Sequence, residues 1–216
     1  GTTSYLTVNV LSYLSTMLLQ FITYAGIFVF ALTGALKART HKMDVFGGLV
    51  MGFVTAYGGG TIRDLLIGVR PVNWVNDYIA LGLVIAAVLI VFVVRQNFQQ
   101  FRKTIFFTDA IGLGLFTVAG IEKSMLLGVN EGYAIAMGVM SATFGGLLAD
   151  IISNEVPALL KRGELYATAC AIGGTLFVLL GKWLPEWAAY HSIIGMITIV
   201  AIRVFSKLKR WRLPEV

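Results

Sequence analysis

Tyr57-Gly58-Gly59-Gly60-Thr61-Ile62-Arg63-Asp64 is echoed 86 residues later by Thr143-Phe144-Gly145-Gly146-Leu147-Leu148-Ala149-Asp150, with two glycines and a closing aspartate in one ungapped register. The same offset aligns Gly26 with Gly112, Phe30 with Phe116, Gly34 with Gly120 and Lys37 with Lys123. It continues through Met51/Met137, Gly52/Gly138, Ala56/Ala142 and Pro71/Pro157, giving 11 identities over the 46 positions from Gly26 to Pro71. Apolar composition produces chance matches, but not readily paired glycines, an acid and a proline in a single register. The chain carries an internal duplication.

Both copies lie in apolar surroundings. The 216 residues are 57% hydrophobic and 13% charged, with a mean hydropathy of +0.82, whereas soluble domains carry roughly a quarter charged residues. The composition is that of an all-α polytopic membrane protein. A crossing helix needs about 20 apolar residues, and seven segments qualify or nearly do: 14–36, 46–68, 78–94, 105–127, 132–154, 165–183 and 187–206. A basic tail, 207–216, follows. No cleavable signal peptide is evident at Gly1-Thr2-Thr3-Ser4, which lacks a basic n-region.

The net charge of +6 points to nucleic acid only until the basic residues are placed. With seven crossings, one side collects Lys37, Arg39, Lys42, Arg95, Arg102, Lys103, Lys161, Arg162, Arg203, Lys207, Lys209, Arg210 and Arg212, 13 of the 17 basic residues. The other side has Arg70, Lys123 and Lys182, and Arg63 falls within a span. The positive-inside rule then puts the N-terminus outside and the C-terminus in the cytoplasm. A nucleic-acid partner is excluded, because it requires a soluble basic face with interleaved aromatics. Trp74, Trp183 and Trp187 near one interface, and Trp211 near the other, read as belt anchors.

An offset covering three crossings, an odd number, inverts the second copy. The expected architecture is an inverted repeat of two three-helix units, 14–94 and 105–183, with an accessory seventh helix. Such pairs usually build a transport pathway at the repeat interface.

Within that frame the glycines allow two readings. Each costs about 1 kcal/mol of helix propensity relative to alanine, so Gly58, Gly59, Gly60, Gly145 and Gly146 suit hinges, or they suit close helix packing. Asp64 and Asp150 follow one turn later on roughly the same face. A carboxylate at depth costs about 2.5–3.5 kcal/mol even on the lenient insertion scale, so each is either a cation ligand or half of an internal ion pair. Arg63 can offset part of that cost in the first copy, although adjacent residues do not share a helix face. Asp109 lines the pathway or caps the N-terminus of span 4. Lys37 and Lys123 end spans 1 and 4, where snorkelling is favoured over gating. Glu122 and Glu155 are ambiguous, and His41 and His191 read as structural, without metal-ligand spacing. Cys170 lies in an apolar run and reads as packing.

No nucleophile–base pairing, HExxH, CxxC or phosphate loop is present, so no enzyme is expected.

These residues resemble the prokaryotic branch of the trimeric intracellular cation channel family, also labelled glycine transporter. The resemblance rests on Phe30-Ala31-Leu32-Thr33-Gly34-Ala35-Leu36, Met43-Asp44-Val45-Phe46-Gly47, Gly58 through Gly68 and Arg70-Pro71 in the first half. In the second half Asp109-Ala110-Ile111-Gly112, Phe116, Gly120, Gly145-Gly146, Asp150 and Glu155-Val156-Pro157 carry it. It implies a homotrimer in a prokaryotic plasma membrane, with an hourglass pore inside each protomer lined by spans 1, 2, 4 and 5. Spans 2 and 5 kink at their glycines, and Thr61, Arg63, Asp64, Asp109 and Asp150 form the polar lining. No cofactor or resident metal is implied. Potassium, weakly selected over sodium, permeates, and membrane lipid surrounds the trimer.

Two departures stand out: Ala149 where many relatives repeat the arginine of the first copy, and Thr23 opposite Asp109. The alternatives to a channel are a carrier of a small zwitterion such as glycine, and a scaffold whose glycines only pack helices.

Overall fold

Long apolar runs bounded by Asp, Asn and Gly fold into helices because the hydrocarbon leaves backbone amides no other partner. The computed structural model describes residues 2–94, 98–161, 165–185, 188–209 and 211. Arg95, Arg162, Arg210, Arg212 and Trp187 of the topology reading lie outside these residues. The helices are α1 Thr2–Thr40, α2 Val45–Leu66, α3 Tyr78–Val93, α4 Phe98–Leu126, α5 Glu131–Ile152, α6 Ala167–Trp183 and α7 Ala188–Lys209. Short 3-10 turns at Asn73–Asn76 and Ala158–Leu160 follow α2 and α5.

Among the described residues, five helices (α1, α2, α4, α5 and α7) are long and apolar enough to cross a membrane. α3 and α6 are apolar but have only 16 and 17 residues, about 24–26 Å at 1.5 Å per residue. Arg39 ends α3 by donating from Nη1 to the carbonyls of Val91 and Val94 at its C-terminus, and its guanidinium lies 5.2 Å from the Phe101 ring centroid.

The duplication reaches down to single backbone bonds. Asp44 caps α2 by accepting from the Gly47 amide at 2.7 Å, and Asn130 caps α5 by accepting from the Tyr133 amide at 3.1 Å. Past the end of α2, Gly68 takes φ +79°, and its counterpart Asn154 takes φ +54°. Both are residue types that tolerate the left-handed region closing a helix. The next amides, Val69 and Glu155, then donate to the carbonyls of Asp64 and Asp150 at 2.8 and 2.9 Å.

The two halves meet through reciprocal contacts. A Cβ at Gly59 would overlap the Ser141 carbonyl, and one at Gly145 would overlap the Thr55 carbonyl. As α2 advances from Thr55 to Gly59, its partner on α5 recedes from Gly145 to Ser141, so these helices cross antiparallel. Phe30 and Phe116 stack beside this crossing, centroids 5.0 Å apart, each ring against the other half's Gly112 or Gly26. Phe30, Ala56, Leu113, Phe116 and Ala142 form the buried centre.

Each of α2 and α5 is continuous α-helix through its glycines. Gly58, Gly59 and Gly145 let two backbones touch, the close-packing alternative. One expectation changes: Asp109 does not cap a helix, because α4 starts at Phe98, which leaves Asp109 in its interior.

Gly60 differs, since a Cβ there meets only the Arg63 guanidinium at 3.9 Å. Gly59→Val and Gly145→Val should each destabilise the protein by roughly 1–3 kcal/mol through overpacking. Gly60→Ala should be neutral or stabilising by up to about 1 kcal/mol. Scanning fluorimetry of the purified variants in detergent checks both; equal Tm losses at Gly59 and Gly60 would refute the distinction.

Candidate functional site

The carboxylate at the end of α2 has no cation on its own face, because Gly60, Thr61, Ile67 and Gly68 are its helical neighbours. One counter-charge comes from the other half and one from the adjacent arginine. Lys123, on α4, donates to Asp64 Oδ1 at 2.8 Å. Arg63 donates to the same oxygen from Nη2 at 2.7 Å and from Nε at 3.0 Å. Arg63 also reaches Ser141 Oγ on α5 at 3.1 Å. Adjacency does not keep Arg63 from Asp64 after all, because the long arginine stem curls back along the helix. The Asn73 amide donates to Asp64 Oδ2 at 3.4 Å, and Asp64 is 2% exposed. Trp74 Nε1 donates to Thr61 Oγ1 at 3.0 Å and packs edge-on against Phe53. It closes this end of the bundle rather than acting only as an interfacial anchor.

The second copy repeats the arrangement with a single cation on the carboxylate. Lys37, on α1, is ion-paired with Asp150 on α5, and the Ala158 amide donates to Asp150 Oδ2 at 2.5 Å. No arginine supports this carboxylate from its own helix, since Ala149 takes that position. Glu155, whose counterpart is Val69, gathers Lys37 at 3.4 Å, His41 at 3.3 Å and Lys161 at 3.9 Å. Lys37 and Lys123 therefore do not snorkel to the interfaces. A carboxylate within reach in a low-dielectric setting outcompetes the membrane surface for an ammonium.

A third pair has no equivalent under the duplication. Tyr166 donates its hydroxyl to Asp109 Oδ1 at 2.9 Å, and Arg203 donates from Nη2 to Asp109 Oδ2 at 3.3 Å. The Arg203 guanidinium lies 4.6 Å from the Tyr166 ring centroid and 5.1 Å from that of Phe106. The seventh helix is thus not merely accessory, because it contributes a buried arginine. Sequence reasoning counted Arg203 only as a topology charge. The signal was there: an arginine set among Ile199, Ala201, Ile202 and Val204, inside an apolar run.

A cavity of about 410 Å³ opens at this second end, walled by Lys37, Asp109, Asp150, Glu155 and Arg203 among others, and it reaches Thr55 and Gly146. Its size suits a small ligand or a hydrated ion. Among the sequence candidates, Lys37, Asp109, Gly146 and Asp150 come together at its wall. Gly58, Gly59, Gly145 and the Asp64 cluster lie elsewhere. Among the described residues, no three His, Cys, Asp or Glu side chains converge as a metal site would require.

The glycine transporter family model matches the chain twice, over residues 20–96 and 106–182. The UPF0126 inner membrane protein YadS of Escherichia coli (strain K12) is 36% identical over 198 residues, covering 91% of this chain and 94% of that protein. A trimeric intracellular cation channel orthologue from Rhodobacter sphaeroides superimposes with a TM-score of 0.83 at 35% identity, covering 89% of this chain and 98% of the other. A prokaryotic channel of the same kind gives a TM-score of 0.83 at 26% identity, covering 92% and 100%. Agreement across both halves, in sequence and in three dimensions, places this membrane protein in the prokaryotic branch of the trimeric intracellular cation channel family, which the glycine transporter model also describes.

Proposed function

We propose that the chain is a passive monovalent-cation channel, permeable to potassium, with a pathway inside each protomer between its two halves. The observation that carries this reading is the pair of lysine–carboxylate ties, Lys37 to Asp150 and Lys123 to Asp64, which bind each half to the other. The antiparallel, reciprocal contacts of α2 with α5 support an inverted-topology pair, related by a two-fold axis lying in the membrane plane. The relatives named as trimeric cation channels support a homotrimer in a prokaryotic plasma membrane, surrounded by lipid. Basic residues Lys37, Lys161 and Lys207 at the cavity support a cytoplasmic position for that end, with the N-terminus outside.

In this reading a cation entering the cavity competes with Lys37 for Asp150. It passes the glycine crossing and meets Asp64 at the far end, where Arg63 and Lys123 must yield. Bending is assigned to Gly60 and Gly146, because neither is held against a neighbouring backbone. Gly59 and Gly145 are locked in the crossing.

Carriage of a small zwitterion such as glycine is the second reading. It is favoured by one feature, the presence of carboxylates and cations together on the cavity wall. Flux into proteoliposomes separates the two: potassium current without saturable glycine uptake supports the channel, and the reverse supports the carrier.

Asp64→Asn and Asp150→Asn should each lower single-channel potassium conductance in planar bilayers, and unchanged conductance in both would refute their role. Lys37→Gln should raise open probability, since it frees Asp150 while Ala158 still holds the carboxylate in place. For orientation, a green fluorescent protein fused to the C-terminus should fluoresce in cells, while a cysteine placed at the N-terminus should react with an impermeant thiol reagent added outside.

A further inference from the structure

Asp109 and Arg203 form an ion pair at the cavity that the duplication does not explain. The counterpart of Asp109 is Thr23, and Arg203 comes from α7, which lies outside both copies. One is an added acid and the other an added base, and they meet at 3.3 Å. We propose that Arg203 sets the charge selectivity of the cavity by neutralising Asp109, leaving Asp150 as the carboxylate that a passing cation engages. The proposal rests on the channel reading above.

The two tethers differ in kind. Lys37 holds Asp150 with a point charge on a flexible four-carbon stem, and both side chains remain about a tenth exposed, at 10% and 11%. A cation arriving from water has a route to that carboxylate and displaces one ammonium to reach it. Arg203 holds Asp109 with a planar guanidinium set against the Tyr166 and Phe106 rings. Its side chain is 2% exposed, while Asp109 at 13% is about as exposed as Asp150, so the difference between the two carboxylates lies in how the partner cation is held and not in burial. Stacking and cation–π attraction fix such a group in place, and the Tyr166 hydroxyl occupies the other oxygen of Asp109. Asp109 therefore presents a neutralised pair to the cavity rather than a free negative charge.

α7 is positioned for this by the same small-residue packing used elsewhere. Gly114 on α4 lets the Met196 backbone of α7 approach closely. The two helices pair antiparallel from there, so Arg203 arrives beside Asp109.

The cavity also lacks the arginine that the first copy carries at position 63, because Ala149 stands in its place. Arg203 restores one guanidinium from a different helix, and it is spent on Asp109 rather than on Asp150. The geometry thus divides the three carboxylates of the wall into a masked one, Asp109, and two, Asp150 and Glu155, that share the mobile Lys37.

The test is the reversal potential of single channels under a KCl gradient in planar bilayers, for wild type, Asp109→Asn, Arg203→Gln and the double variant. Arg203→Gln should unmask Asp109 and raise the potassium-to-chloride permeability ratio about tenfold, because one unit charge some 6 Å away in water favours the cation about threefold and disfavours the anion about threefold. Asp109→Asn leaves the guanidinium uncompensated and should lower the ratio by about the same factor. The double variant should return close to wild type. Arg203→Lys keeps the charge and should stay nearer wild type than Arg203→Gln.

Shifts of both single variants in one direction, or no shift in either, would overturn the proposal, since a purely structural role predicts lower yield without a change of sign. If Arg203→Gln does not fold, Asp109→Asn and the double variant still decide, because asparagine keeps an acceptor for Tyr166. Absence of any wild-type current would overturn the channel reading, and this proposal with it. Current with unmoved reversal potentials overturns this proposal alone.

Discussion

A carboxylate held inside a bilayer must find a counter-charge, and neither Asp64 nor Asp150 has one three or four residues away on its own helix. Around Asp64 stand Gly60, Thr61, Ile67 and Gly68; around Asp150 stand Gly146, Leu147, Ser153 and Asn154. The ammonium therefore comes from the opposite half, Lys123 in one case and Lys37 in the other. Removing one partner of a buried pair costs about 3–5 kcal/mol, more than small-residue packing alone supplies at a single contact. The halves are thus held to each other by one lysine–carboxylate pair at each end, with Arg63 adding a cation from its own half at Asp64 alone. The glycine crossing makes this feasible. With Gly59 and Gly145 against opposing carbonyls, α2 and α5 run close enough for lysines on α1 and α4 to reach across. Side chains at those glycines would part the helices and lengthen both ties together.

Much of this was legible in the residues. The duplication, its offset and the helical class follow from repeated glycines and apolar runs, and α2 and α5 keep the 86-residue register at both ends, Val45–Leu66 against Glu131–Ile152. The pairing was harder to read. Lys37 and Lys123 look like snorkelling lysines because each ends an apolar span, and whether a lysine turns outward or inward depends on what the other half places within reach. That is a tertiary fact without a local signature. Arg63 reaches its neighbour for a related reason: helix-face arithmetic describes Cβ directions, and a long arginine side chain is not bound by them. The glycines admitted hinge and packing readings equally, since propensity measures how readily a helix breaks, and only the carbonyls of Ser141 and Thr55 show that Gly59 and Gly145 are met by a neighbouring backbone. A helix cap stays open for Asp109 in the sequence because polar residues before Ile105 obscure the true start at Phe98.

The departures from exact repetition fall where charge is concentrated. At one end Asp64 is held by two cations and is 2% exposed. At the other, Ala149 replaces the arginine, Glu155 replaces a valine, and a cavity opens. A strictly symmetric duplication would compensate both carboxylates alike. With alanine in place of the arginine, Asp150 has one lysine on it, whereas Asp64 has an arginine and a lysine. A second cation a few ångströms from a carboxylate is worth about 1 kcal/mol in water and about 4 kcal/mol near a protein surface, so the negative charge of Asp64 is the more fully compensated. The unused arginine position does not leave the cavity bare of guanidinium, because α7 brings Arg203 to Asp109. An element outside the duplication thus adjusts the charge of one end without disturbing the paired ties that hold the two copies together.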